Sequence, residues 1–123
     1  MKLFGRTKPA HLLQGDQAER QALDFLQQQG LVLVCQNFRC KLGELDLVMR
    51  EGETLVIVEV RFRKSEQFGG ALASITRQKQ GRIVAATQHY VIIHNLSHRA
   101  IRFDVVAITG DGRIDWIKNA FQT

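Results

Sequence analysis

Between Gly43 and Arg61 the chain reads GELDLVMREGETLVIVEVR, and Glu44, Asp46 and Glu59 stand in two strand-like runs where apolar residues are expected. The runs, about residues 44 to 50 and 54 to 63, flank a turn-prone Arg50-Glu51-Gly52-Glu53 segment. Strand parity puts Glu44, Asp46 and Val48 on one face of the first run, and Leu55, Ile57, Glu59 and Arg61 on one face of the second. An even-length loop centred between Gly52 and Glu53 sets Asp46 opposite Glu59 and Glu44 opposite Arg61. An odd loop would set Asp46 opposite Val58 or Val60.

Two carboxylates directly opposed on a sheet repel each other, and a cation between them removes the conflict. All-oxygen ligands suit Mg²⁺ or Mn²⁺ rather than Zn²⁺. Such an ion binds a phosphate oxygen, lowers the pKa of a bound water and offsets charge on a leaving oxygen, which is the chemistry of phosphodiester hydrolysis. The plainer alternative pairs one acid with Arg61 and turns the other to solvent. Spacing alone does not choose between them.

The elements that position this hairpin follow from periodicity. Residues 16 to 30, DQAERQALDFLQQQG, predict a helix with Asp16 near its start and Gly30 at its end. Ala18, Ala22, Leu23, Phe25 and Leu26 form one apolar arc, and Glu19 falls inside it. A carboxylate facing a core needs a partner, unless it lies at the edge and reaches water. Leu31 to Phe38 predicts a strand, closed by Asn37 and Arg39. A polar, glycine-containing loop from Arg63 to Gly70 precedes a helix over about Ile75 to Ile93, basic in its first half. Ala100 to Thr109 and Arg113 to Lys118 predict two further strands around a glycine-aspartate turn. The order is helix, three strands, helix, two strands: an α/β fold with a mixed sheet and helices packed on it.

At 123 residues, 45% hydrophobic, with one proline and no low-complexity run, the chain is expected to fold as a single domain, residues 1 to 10 forming a loose basic arm. The start lacks the apolar core of a signal peptide and no run approaches a membrane span, so a cytoplasmic location is expected. A net charge of +5 and a pI near 9.7 favour a polyanionic partner such as nucleic acid. Cys35 and Cys40 are too few for a disulfide scaffold, and their odd spacing in an extended segment would point them to opposite faces. His89, His94 and His98 lack the flanking pattern of a metal motif and suit packing or solvent. Arg102 and Asp104 share a strand face and suit a structural pair.

GELDL, VEVR, FGGA, Lys79 in a basic helix, RFDVV and the terminal NAF, in this order, resemble the YraN-type family of small bacterial endonuclease-like proteins. The resemblance spans about Gly15 to Phe121. It implies similarity to archaeal Holliday-junction resolvases and a restriction-endonuclease-like fold, a mixed central sheet flanked by helices. It also implies Glu19, Asp46, Glu59 and Arg61 as the catalytic group, with Glu19, Asp46, Glu59 and the Val60 carbonyl as contacts of a Mg²⁺ or Mn²⁺ cofactor. Glu44 would support the site, by holding water or by pairing with Arg61. Arg61 departs from the pattern, which has lysine there. Arginine stays protonated and cannot act as a general base, but it can hold a phosphate. Lys64 or Lys79 could replace the missing amine in space.

Nucleic-acid contacts are expected from Arg63, Lys64, Arg77, Lys79 and Arg82, with DNA recognised by shape and backbone rather than by sequence. The plainer fate of these residues is a solvated helix face. Phe68, Gly69 and Gly70 would bend and anchor the loop between them. The expected function is that of a metal-dependent nuclease-like protein acting on branched or structured DNA. The alternatives are a non-catalytic nucleic-acid-binding protein on the same scaffold, or a protein-interaction adaptor. A homodimer would suit a resolvase, although no sequence feature demands one.

Overall fold

The structure, a computed structural model, describes residues 10–63 and 75–122, the side chains of 10–14 excepted. Its elements are α1 (Ala10–Gln28), β1 (Val32–Cys40), β2 (Gly43–Glu51), β3 (Thr54–Arg63), α2 (Arg77–Ile93), β4 (Ile101–Thr109) and β5 (Ile114–Phe121). This is the expected order of elements. Most of the predicted basic arm, together with Lys64 and the Phe68-Gly69-Gly70 loop, lies outside the described residues.

Helix α1 begins earlier than Asp16, because AHLLQ consists largely of residues that favour helix and Gly15 is tolerated within it. Its end is fixed by a left-handed Gly30 (φ 99°), whose N–H donates to the Gln27 carbonyl while Leu31 N–H reaches back to Leu26. Leu26 and Leu31, both buried, pack in the same cluster beneath this cap. Helix α2 opens at Thr76, whose side chain accepts a 3.1 Å hydrogen bond from the Lys79 backbone N–H.

The strands form one five-stranded sheet in the order β1-β2-β3-β4-β5. Only β3 and β4 run parallel, and the chain between them includes α2, so the sheet is mixed as expected. Helix α2 covers one face through Ile83, Ala86 and Tyr90, against Val48, Ile57 and Phe103. On the other face, Ala18, Ala22 and Leu26 of α1 pack against Leu47, Val58 and Val106. The arc predicted for α1 is thus its buried face.

Gly52, at φ 60°, supplies the left-handed turn between β2 and β3. The pairing that follows is the even-loop register, from Glu51 with Thr54 to Leu47 with Val58. There the two strands separate. Beyond that point β2 follows β1, with Leu45 against Phe38 and Glu44 against Arg39, whereas Glu59 to Arg63 of β3 follow β4. The sheet therefore opens into a fork, and Asp46 and Glu59 are the first residues past its vertex. Glu44 does not face Arg61 as expected, because the ladder ends before reaching them; it pairs with Arg39 at 3.5 Å instead.

A second irregularity lies across from the fork. The β1–β2 register passes from Gln36 with Leu47 to Phe38 with Leu45, omitting the step at Asn37 and Asp46. Asn37 has φ 54°, a conformation that asparagine tolerates better than most residues. This step resets the alternation, so Cys35, Phe38 and Cys40 all pack on the α2 side. The two cysteines therefore share a face, contrary to simple parity. Both are free thiols, and the described residues contain no group of three or more His, Cys, Asp or Glu side chains placed to hold a metal ion.

Gly43 explains the first letter of GELDL. A Cβ there would lie 2.8 Å from the Arg82 carbonyl oxygen of α2, inside contact distance of backbone that cannot swing aside. Gly43→Ala is expected to destabilise the fold by about 1–3 kcal/mol by pushing α2 from the sheet. Chemical denaturation of the two proteins checks this; an unchanged midpoint would contradict the close approach.

Candidate metal and nucleic-acid site

The fork determines what surrounds its acids. Once β2 leaves β3, the Val60 N–H lacks a main-chain partner on that side, and the Asp46 carboxylate accepts it at 2.9 Å. Asp46 thereby caps the broken ladder and is held at the vertex. Glu59 is only 6% exposed and stands beside it, its carboxyl within hydrogen-bonding reach of Asp46. Two cations answer Glu59: Lys79 Nζ at 3.3 Å from α2, and Arg61 at 3.4 Å from the same strand.

These cations do not fully compensate the acids. Burial, and then the Asp46 charge, push the Glu59 carboxyl up to about 7 despite Lys79 and Arg61. Asp46 is also raised, chiefly by burial, against the opposing effects of the Val60 N–H and the Glu59 hydrogen bond. Glu19, half-buried on α1, is raised by burial and by Asp46, and Asn37 hydrogen bonds to it. Asp46 thus acts on both Glu59 of the neighbouring strand and Glu19 of the helix. Glu19 nevertheless does not join Asp46 and Glu59 in a three-ligand group.

A hard divalent cation fits the Asp46–Glu59 pair by the chemistry of its donors: carboxylate oxygens only, close together, Glu59 buried and Asp46 half-buried, and both held above their ordinary pKa despite Lys79 and Arg61. The backbone group that Val60 is seen to offer Asp46 is its N–H. Nearby, Arg61 Nε is buried without a hydrogen-bond partner, a donor unused by the protein.

The other expected site residues divide. Lys79 reaches the acids, Arg63 lies half-buried at the end of β3, and Arg77 and Arg82 are exposed on α2. Glu44 is exposed and paired with Arg39. Sequence reasoning missed Asn37, which joins Glu19 to the step opposite Asp46; an asparagine interrupting a strand was the available signal. It also missed Arg39 and Lys41, which flank the β1–β2 turn beside Lys79 and Arg82.

The remaining motifs hold the sheet together. Asp104 of RFDVV is fully buried and accepts hydrogen bonds from Arg102 Nε and Nη2, Trp116 Nε1 and the Asn119 backbone N–H, all at 2.9 Å. Arg102 also donates to Glu51 at 2.7 Å. Asn119 of NAF, at φ 53°, belongs to a bulge in β5 that turns this N–H toward Asp104, and Phe121 stacks on Phe103 at 5.1 Å. Arg102 and Asp104 are thus a structural pair, as expected. His89 lies against Phe38 and His94 against Tyr90, in packing roles.

Comparison with known proteins places these features in a family. The family described as "Uncharacterised protein family UPF0102" matches residues 18–108, which include every acid of the fork and Lys79. The UPF0102 protein lpg2994 of Legionella pneumophila is 52% identical over 109 residues, covering 87% of this chain and 92% of the relative. UPF0102 protein NE0719 of Nitrosomonas europaea is 50% identical over the same length, and MCA0184 of Methylococcus capsulatus is 45% identical over 125 residues, 99% of this chain and 98% of its own. The chain belongs to the UPF0102 family, the YraN-type family that its motifs resemble.

Proposed function

We propose that this protein is a metal-dependent nuclease-like protein that binds branched or structured DNA and hydrolyses its phosphodiester bonds. Family membership alone assigns no activity, and the reading rests on one observation. Two neighbouring carboxylates, Glu59 buried and Asp46 half-buried, stand at the vertex of a sheet fork and resist ionisation, while a lysine amine reaches Glu59 from a neighbouring helix. Holding two acids together where their ionisation is disfavoured opposes folding, and such groups concentrate at functional sites.

In this reading Asp46 and Glu59 hold Mg²⁺ or Mn²⁺, with Glu19 close enough to bind through water or to tune Asp46 electrostatically. The ion, when bound, supplies Lewis-acid activation of the phosphate and of water. Arg61, with an unused Nε, holds a phosphate oxygen but cannot take a proton. Lys79 provides the amine that position 61 lacks, being already 3.3 Å from Glu59. The described residues include no helix long and apolar enough to cross a membrane.

Cleavage of junction, flap and duplex DNA with Mg²⁺ or Mn²⁺ tests this. Wild type is expected to cut, and Glu59→Ala and Lys79→Ala to lose about 10²-fold or more in rate. Equal cutting by Glu59→Ala would overturn the site. The arginine at position 61 favours a second reading, a DNA-binding protein without turnover. Its signature is an inert wild type that binds DNA and gains cleavage in Arg61→Lys.

A further inference from the structure

The fork is flanked by two clefts of opposite character. On the α1 side, Asp16, Glu19 and Asp24 line one with Arg20 as the counter-charge. On the α2 side, the β1–β2 turn and the helix enclose a groove of about 510 Å³ lined by Arg39, Lys41, Lys79 and Arg82, with Glu44 the one acid. Arg39 is engaged with Glu44, and Lys79 with Glu59. Lys41 and Arg82 are exposed and have no carboxylate partner among the described residues. Leu42, 51% exposed, lines the same groove as an apolar contact.

We propose that this groove carries the phosphodiester backbone of a DNA strand to the fork, Lys41 and Arg82 each neutralising a phosphate and Lys79 marking the junction with the metal pair. The proposal rests on the reading of the fork as a nuclease-like site and gives that site a direction of approach. Charge decides it. A polyanion is repelled by the acid-lined cleft on α1, whereas the basic groove is joined to Glu59 by Lys79, which lines the groove and reaches the acid at 3.3 Å. The groove has its shape because Gly43 lets the start of β2 lie directly against the Arg82 backbone. Leu42 gives a sugar or base edge an apolar surface, which favours a strand entering along its backbone over a small anion. Recognition of this kind reads backbone and shape, not base sequence.

The test is fluorescence anisotropy with a labelled four-way DNA junction in EDTA, where neither metal binding nor cleavage contributes. Titrations run over a range of KCl concentrations on wild type, Lys41→Gln/Arg82→Gln and a control, Arg50→Gln/Lys118→Gln, with the same charge change elsewhere on the sheet. The groove variant is expected to bind about tenfold or more weakly, with the slope of log K against log salt reduced by about 2, while the control stays within about twofold. Equal weakening in both double variants, or no binding by wild type, would overturn the groove. Mn²⁺ titration of the same proteins separates the two claims. A groove-specific loss of DNA binding with no Mn²⁺ uptake by wild type would keep the groove and sink the nuclease reading.

Discussion

Asp104→Ala is expected to lower stability by about 3–5 kcal/mol, and the melting temperature by about 10–20 °C. The residue is completely buried and accepts hydrogen bonds from a guanidinium, an indole N–H and a backbone N–H. Its removal leaves the half-buried Arg102 with Glu51 as its remaining carboxylate partner, and takes from the Trp116 and Asn119 N–H groups the acceptor they share. Asp104→Asn should fall between the two proteins, since one oxygen still accepts while the amide meets donors. Thermal and urea unfolding check both variants. A loss below about 1 kcal/mol for Asp104→Ala would show that the network contributes little.

Glu59→Gln is expected to act in the opposite direction. The carboxyl is raised from 4.5 to about 7 in the folded protein, so between those values the native state holds a proton that the unfolded state has released. Stability from this group is therefore present at low pH, falls as pH rises from about 4.5 to about 7, and stays lost above. The full difference is on the order of 3 kcal/mol, with Asp46 shifted in the same direction and sharing the effect. Glutamine imitates the protonated acid, so the variant should melt higher than wild type at pH 8 and match it near pH 4.5. A variant less stable than wild type at pH 8 would mean that Lys79 and Arg61 compensate the charge after all.

Asp104 and Glu59 are both buried acids, and their difference separates structure from function. Three donor groups converge on Asp104 and give it four hydrogen bonds. Glu59 has two cations and an acid for a neighbour, and it remains costly to ionise. Under the proposed function, the second arrangement gives up stability for a metal site.

Much of this arrangement was legible in the sequence. Gly52 fixed the hairpin loop, and with it a register that brought Asp46 and Glu59 to the same level. Helical periodicity placed Glu19 among the core positions of α1. The pairing of Arg102 with Asp104 followed from their shared strand face. What was not legible depends on single backbone steps and on long-range packing. A left-handed Asn37 shifts the faces of Cys35 and Cys40, and no alternation rule announces it. The fork at Leu47 and Val58 arises because β2 and β3 each stay with their outer partners, so Glu44 meets Arg39 rather than Arg61. The reach of Lys79 to Glu59 depends on how α2 docks, which Gly43 governs from a distant turn.

The central claim is that Asp46 and Glu59 are held together, at the expense of stability, to bind a divalent cation. Calorimetric titration of Mn²⁺ into wild type, Asp46→Asn and Glu59→Gln at pH 8 tests it most directly. One ion per chain is predicted for wild type, with binding weakened about 100-fold or more in either variant, and weakened in wild type as pH falls below 7 and Glu59 takes up its proton. No Mn²⁺ uptake by wild type, or uptake equal in all three proteins, would contradict the account.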